Sequence, residues 1–574
     1  MSEAPVYSFV PADYFVIIGY LILLPSVGFL MKRLCGGSRD FLIGGNKIPW
    51  WLAGASVFMM SFSAWTFTGA AGFAYQHGIL IILIFYFNVI SYLVAGWLVA
   101  GRIRQTRLVT YGQIIYERFG RFGEQFFIWL QFPKMLFGGA IWLLGLSIFV
   151  AVAFGVPMEV TIFVTGAVIL IYSTLSGSWA VMTTDFVQSI VLLVLSVLIA
   201  GLTLLHPNVG GLSGLFSQMP EGHVRIVSVE HGWLWILAYF LQMGVLFNSV
   251  IGANKFLAVR DGACARKATW LAAAMFLIGP LVWFIPPFAA TFLFPDIDAI
   301  LGGLNHPRDG SYVLMGLHLL PSGLVGLMVM VIFAATLSSM DTAINVNAGI
   351  LSMNVYKPFL RPEASERELL MASRIFNVIC GLTVILTAYL LSQLESLNLF
   401  DLMLIMLSVL GLPMAVPCVL LYFYRRTPRW PAAVSVLLGG GFSLIGSLSG
   451  WSLQTRVFGI LLISIVVFSI ARLFWSWVKP SEQEAIKRFY DKMETPVDTD
   501  VEVIGSEDTR QLLLVGTLTL IIGAGLVCLL FFPNGGRERV IIALTAAVVL
   551  GIGWILRMIG KHSLARDRAR ENEA

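Results

Sequence analysis

Between Phe333 and Lys357 the sequence FAATLSSMDTAINVNAGILSMNVYK sets Ser338, Ser339, Asp341, Thr342, Asn345 and Asn347 within about three helical turns, directly after the apolar run GLVGLMVMVI. At membrane depth an unpaired polar group is costly and a carboxylate costs several kcal/mol, so side chains of this kind need partners there. Ala335, Ser338, Ser339 and Thr342 recur at i, i+3, i+4 and i+7 and therefore share one helix face. That face offers hydroxyl and backbone oxygens rather than cationic donors, a ligand set suited to a small, hard monovalent cation. Serines in membrane helices also bond the carbonyl four residues back or let helices pack closely. Asp341 in the same patch weighs toward a bound partner, because a buried acid is retained mainly where something pairs with it.

A second stretch carries the same kind of signal. PWWLAGASVFMMSFSAWTFTGAAG, beginning at Pro49, holds Gly54, Gly69 and Gly72 around the polar centre Ser61, Ser63, Thr66 and Thr68. Local unwinding near Met59 to Thr66 would free carbonyls for a cation and turn side chains toward a solute. Close helix contact through the same glycines and serines is the alternative reading.

The elements that must position these residues are membrane helices. Of 574 residues, 58% are apolar and only 12% charged, far from the usual quarter-charged soluble chain. The composition implies an all-α, polytopic membrane protein with no separate soluble domain between its spans. Hydropathy suggests about fifteen spans, near 12–31, 50–72, 78–101, 124–153, 158–176, 184–205, 233–254, 269–294, 320–355, 371–393, 399–423, 430–448, 453–478, 511–532 and 540–560. The first lacks a preceding basic region and a following small-residue cleavage site, so it reads as a retained helix.

Loop charge orients the chain. Lys32, Arg33, Arg39 and Lys47, then Arg102, Arg104, Arg107, Arg118 and Arg121, then Lys255, Arg260, Arg266 and Lys267 alternate with cation-poor loops, as do Lys357, Arg361 and Arg367, then Arg425, Arg426 and Arg429. The positive-inside rule therefore expects the N-terminus outside and the basic tail after Arg557 in the cytoplasm, with the protein in a plasma or inner cell membrane. A net charge of +5 is too small to imply nucleic acid, and no protein partner is implied. The stretch Lys479 to Gln511 reads as a cytoplasmic charged linker or short helix before two accessory C-terminal helices. Cys35 and Cys264 fall in predicted cytoplasmic loops and Cys380, Cys418 and Cys528 in helices, so no structural disulfide is expected. No GxxxxGK[ST], HExxH or paired CxxC occurs, which argues against a nucleotide-driven pump or a zinc enzyme.

SSMDTAINVNAGILSMNVYK resembles the helix of the sodium:solute symporter family that usually reads SSLDSALNS, a short run and DIYK, with Asn354 in place of the aspartate. YGQIIYERFG is similar to the family's TLPEYLERRFG-type loop, SGSWAVMTTDFVQ to its GGLKAVAWTDVIQ-like turn, and NKFLAVRDGACARK to QRYLAAKSEKEAKK, with Asn254 and Lys255 replacing Gln-Arg. Four motifs in the right order carry the likeness from about residue 12 to about 450.

The resemblance implies a LeuT-type core of two inverted five-helix repeats, each opening on a broken helix, with a site near the membrane midplane. Here the repeats would be residues 50–205 and 233–423. Residues 1–49 would be an extra N-terminal helix and loop, 424–478 two further helices, 479–510 the linker and 511–574 the terminal pair. It also implies a first sodium site from the carbonyls of Met59, Phe62 and Ala335 and the hydroxyls of Ser338 and Ser339. A second sodium would use Asp185, Asp341 and Thr342, unless those acids pair with a cytoplasmic-side Lys or Arg. Solute-lining positions of sugar-carrying relatives fall on Ser61, Trp65, Thr66, Asn88 and Gln242; Trp65 and Phe85 stand where such carriers hold acids. The resulting pocket is neutral, aromatic and amide-rich. It suits a sugar or polyol, and it also accepts a small carboxylate or amino acid through backbone N–H groups of the broken helix. The expectation is sodium-coupled import by alternating access. A non-transporting membrane sensor of the same fold is the alternative, and an intramembrane enzyme lacks a nucleophile–base or metal cluster.

Overall fold

The computed structural model describes residues 7–31, 46–173, 178–252, 254–394, 397–499 and 508–573. Cys35 and the cations Lys32, Arg33 and Arg39 lie outside these residues, as does the linker over 500–507. Among the described residues every regular element is helical, and the only extended pairing is an isolated bridge between Ile48 and Val259.

Helix α1 (Pro11–Met31) precedes a broken span made of α2 (Trp50–Met60), α3 (Ala64–Phe67) and α4 (Gly69–His77), bent by 54° at the break. Four further helices complete the first half: α5 (Leu80–Ala95), α6 (Tyr111–Phe154), α7 (Met158–Ser173) and α8 (Ser178–Leu204). The chain then forms α9 (Trp233–Phe247) and, after a short interruption, the single turn α10 (Asn254–Leu257). It continues through α11 (Gly262–Trp283), α12 (Ile285–Leu293), α13 (Leu324–Ile350), α14 (Glu366–Ser392), α15 (Leu399–Met406) and α16 (Leu412–Leu420). Then come α17 (Pro431–Leu448), α18 (Leu453–Leu473), α19 (Pro480–Glu494), α20 (Asp508–Cys528) and α21 (Gly536–Glu573). Among the described residues, eleven helices are long and apolar enough to cross a membrane, or twelve with the bent pair taken as one span. Pro11–Leu23, α7 and α9 are apolar but shorter, so fifteen crossings are not established by helix length.

The helix starting at Leu324 is the hub. Its apolar window is enclosed by protein, with α1, α6 and α8 packed against it. Its N-terminus is held by Asp13, whose Oδ1 accepts the N–H groups of Gly323 at 2.7 Å and Gly326 at 3.0 Å, two donors that a helix start leaves without intrahelical partners. Elsewhere the helices approach closely where side chains are small, as membrane helices must. A methyl on Gly54 would sit 2.7 Å from the Ala268 carbonyl oxygen, so α2 and α11 touch backbone to backbone.

The charged stretch after Lys479 does form a helix, and one face of it is not solvated. Ile486, Phe489, Tyr490 and Met493, spaced i, i+3, i+4 and i+7, are buried. Tyr490 donates to the Leu421 carbonyl at 2.7 Å and accepts from the fully buried Arg118 at 2.9 Å. Cys264, Cys380, Cys418 and Cys528 are free thiols.

Candidate functional site

Breaking α2 from α3 frees backbone groups that need partners inside the protein, and α13 supplies them. The Ala64 N–H donates to Thr336 Oγ1 at 2.8 Å, and Ser339 Oγ donates to the Phe62 carbonyl at 3.3 Å. On its own side of the break, Phe62 N–H donates to the Met59 carbonyl at 3.0 Å. Met59, Phe62, Ala335 and Ser339 are all buried, so the expected cation ligands sit on the two segments that meet at this junction. Phe62 and Ser339 are in direct contact. Ser338 lies close enough to the Asp185 carboxylate to interact with it.

Asp185 is buried on α8, bonded also by the hydroxyl of Ser56, while its Oδ1 meets no protein partner. Lys255, on α10, is buried too and lies within electrostatic reach of both Asp185 and Asp341. Asp341 accepts from Asn345 Nδ2 at 2.8 Å. The side chain of Thr342 lies outside the described residues. One ammonium and two carboxylates thus lie within electrostatic reach, and the sum with all three ionised is one negative charge. In the sequence Lys255 was legible as a loop cation and as a departure from a Gln-Arg pair, and a Lys or Arg beside these acids was the alternative to a second sodium; that this lysine, 70 and 86 positions away, is the one within reach was not legible.

The expected solute-lining residues fall in two groups. Ser61, Trp65 and Thr66 belong to the break, whereas Asn88 and Gln242 lie on α5 and α9, which pack together. Ser61 shares a short hydrogen bond with the buried Tyr92 hydroxyl. Trp65 donates from Nε1 to the Leu399 carbonyl at 3.1 Å and stacks on Phe400 with ring centres 5.7 Å apart. Thr66 is buried and Asn88 half-buried. Gln242 is 0% exposed, and neither its amide oxygen nor its nitrogen meets a protein partner.

Trp283 is a residue that the sequence did not single out. It is buried, its Nε1 is unpartnered, and Phe62 packs on it at 4.8 Å and Phe85 at 6.1 Å. Its only sequence signal was one aromatic in an apolar run, which looks like any core position. On the side of the site toward His77, a column of rings runs Trp65, Phe400, Phe73, Trp235 and Tyr239, with successive centres 4.1 to 6.4 Å apart.

Comparison with known proteins agrees with this architecture. The family profile described as sodium:solute symporter family matches residues 41–440. The sodium/sialic acid symporter NanT of Aliivibrio fischeri is 24% identical, over 86% of this chain and 99% of that protein. The sodium/myo-inositol cotransporter 2 of Oryctolagus cuniculus is 25% identical over 76% of this chain and 71% of that one. Among solved structures, the substrate-bound outward-open state of a Na+-coupled sialic acid symporter superposes with a TM-score of 0.68 at 20% identity, over 82% of this chain and 99% of that one, which shows a shared fold. A profile match over well more than half of the chain, laid on a helical fold whose first broken span is tied to a hydroxyl-rich helix, makes this multi-pass, sodium-coupled carrier of a small solute a member of the sodium:solute symporter family.

Proposed function

We propose that the protein carries a small, uncharged, polyhydroxylated solute, a sugar or polyol, inward with sodium. The observation that carries this reading is Gln242, a fully buried amide with both polar atoms unpartnered, on a helix packed against the one that bears Asn88. An amide offers one acceptor and two donors, which matches hydroxyl groups that both give and take hydrogen bonds. Trp65 supplies a ring face and Trp283 a ring face and an unpartnered N–H, and no fixed charge stands among Ser61, Trp65, Thr66, Asn88 and Gln242. A sugar acid is the second reading, supported by the match to proteins whose names specify sialic acid.

Coupling follows from a shared element. The first sodium would sit between the carbonyls of Met59, Phe62 and Ala335 and the hydroxyls of Ser338 and Ser339, after Ser339 releases Phe62. Ion and solute would then both bind the broken span. Each stabilises the arrangement the other needs, and the linkage is reciprocal. A second sodium at Asp185, Asp341 and Thr342 would meet the net negative charge left beside Lys255. Loop cations support an outside N-terminus and a cytoplasmic C-terminus in the cell membrane. Labelling of Cys264 by an impermeant thiol reagent applied outside intact cells would overturn that orientation.

Proteoliposomes with an imposed sodium gradient test the reading against a panel of neutral sugars, polyols, sugar acids and amino acids. Sodium-dependent uptake of a neutral sugar or polyol is expected. Uptake confined to charged solutes rejects the solute class, and no sodium-dependent uptake of any solute leaves the sensor reading in its place.

A further inference from the structure

At the end of the first broken span, away from the sodium ligands, His77 meets the loop that leads into α9. The imidazoles of His77 and His231 face each other with ring centres 4.6 Å apart, and ligand atoms of His77, His231 and Glu230 all lie within 4.8 Å of one another. Both histidines are half-buried and Glu230 is exposed. The loop is not loosely placed. The His223 carbonyl accepts the Ile79 N–H at 2.9 Å, and Ser228 N–H donates to the His231 carbonyl at 3.3 Å. Ser228 Oγ lies 3.5 Å from Nδ1 of His231, so the tautomer protonated at Nδ1 leaves Nε2 bare.

The geometry points to a divalent transition-metal site of the zinc class, with His77, His231 and Glu230 as ligands and water in the fourth position. Two imidazole nitrogens and one carboxylate oxygen are the donor set of a borderline cation, and a three-ligand zinc site keeps one position open. Metal–ligand bonds of about 2.0–2.2 Å place tetrahedral ligand atoms roughly 3.3 Å apart, so closure moves these atoms by about 1.5 Å at most. Glu230, exposed and on a loop, can supply much of that movement.

The site sits on the aromatic column. His77 packs on Phe73 one turn earlier at 4.4 Å, and His231 packs edge-on against Phe73 at 5.2 Å and Trp235 at 4.5 Å. Phe73 in turn stacks on Phe400 at 4.1 Å. A metal ion held here ties the end of α4 to the entry of α9 and restrains the rings that close this side of the solute path. The ion site itself does not depend on which solute is carried, so its test is made without one.

The purified, full-length protein is titrated with Zn2+ against a chromophoric chelator, and hydrogen–deuterium exchange is followed with and without the metal. One zinc per chain is expected, with slowed exchange in the segments 69–77 and 226–236. His77→Gln, His231→Gln and Glu230→Gln each weaken binding by more than about tenfold, the loss that removal of even an outer hydrogen-bond partner of a ligand produces. Glu230 is exposed, so its variant stays folded even if a histidine variant does not. Absence of zinc binding, or variants that bind as the parent does, overturns the site. Binding that leaves exchange in both segments unchanged overturns the restraint.

Discussion

Replacing Gln242 by methionine separates a structural amide from a recognition one, because the two roles predict opposite signs for stability. The side chain is fully enclosed, and its oxygen and nitrogen lack protein partners, so in the empty carrier the amide bears an uncompensated desolvation cost of about 1–3 kcal/mol. Methionine keeps the volume and removes both polar atoms. Gln242→Met is therefore expected to stabilise the solute-free protein by about 1–3 kcal/mol, read as a raised midpoint of thermal unfolding in detergent. Solute binding moves the other way. Losing one or two neutral hydrogen bonds, at about 0.5–1.5 kcal/mol each, corresponds to a loss of up to roughly 150-fold in half-saturation for the solute, and of about fivefold if they total 1 kcal/mol. Sodium activation, measured at saturating solute, stays near that of the parent. A destabilised Gln242→Met protein, or one that keeps full solute affinity, would refute the assignment and mark the amide as part of the packing.

Ser338→Ala and Ser339→Ala are expected to raise the sodium concentration for half-maximal uptake by at least about tenfold, since bonds to a charged group are worth about 1.5–3 kcal/mol, while thermal stability falls by about 1 kcal/mol or less. Parental sodium curves in both variants would remove the site. Lys255→Met removes a buried cation within electrostatic reach of two buried carboxylates and is expected to lower stability, part of which Asp185→Asn restores in the double variant; additive effects in that cycle would show that the charges do not interact. Asp185→Asn and Asp341→Asn alone are expected to lower the charge moved per solute, read as a shift in reversal potential, and an unchanged ratio of one would make these acids structural. Asp309, in the loop before α13, is pushed by burial from the ordinary 3.8 up to about 7, and its Oδ2 is unpartnered. Between those two values the folded carboxyl holds a proton that the unfolded one has lost, so stability falls as pH rises from about 4 to about 7, and Asp309→Asn is expected to flatten that slope in thermal unfolding.

Much of the architecture is written locally. Apolar runs of membrane length dictate helices because a bilayer leaves backbone groups no other way to be satisfied, and the glycines and hydroxyls around Met59 to Thr66 mark the place where the observed break occurs. The polar run from Ser338 to Asn347 announces a site for the same reason, since such residues are too costly there without partners. What those residues touch is a different kind of fact. Ser339 finds the Phe62 carbonyl 277 positions away, and Ser56 finds Asp185 at a separation of 129. Lys255 lies within electrostatic reach of two acids although it reads in the chain as one more cytoplasmic cation, and Gln242 is buried with both polar atoms unpartnered although it reads as one amide in an apolar run. His77 and His231, unremarkable in sequence, become a pair when the end of the broken span meets the loop that leads into α9. Periodicity and hydropathy are sums over near neighbours, so they determine which segments cross and where a helix must fail. Pairing of charges, amides and imidazoles depends on which faces the packed helices turn to one another, and that is decided only when the whole bundle closes.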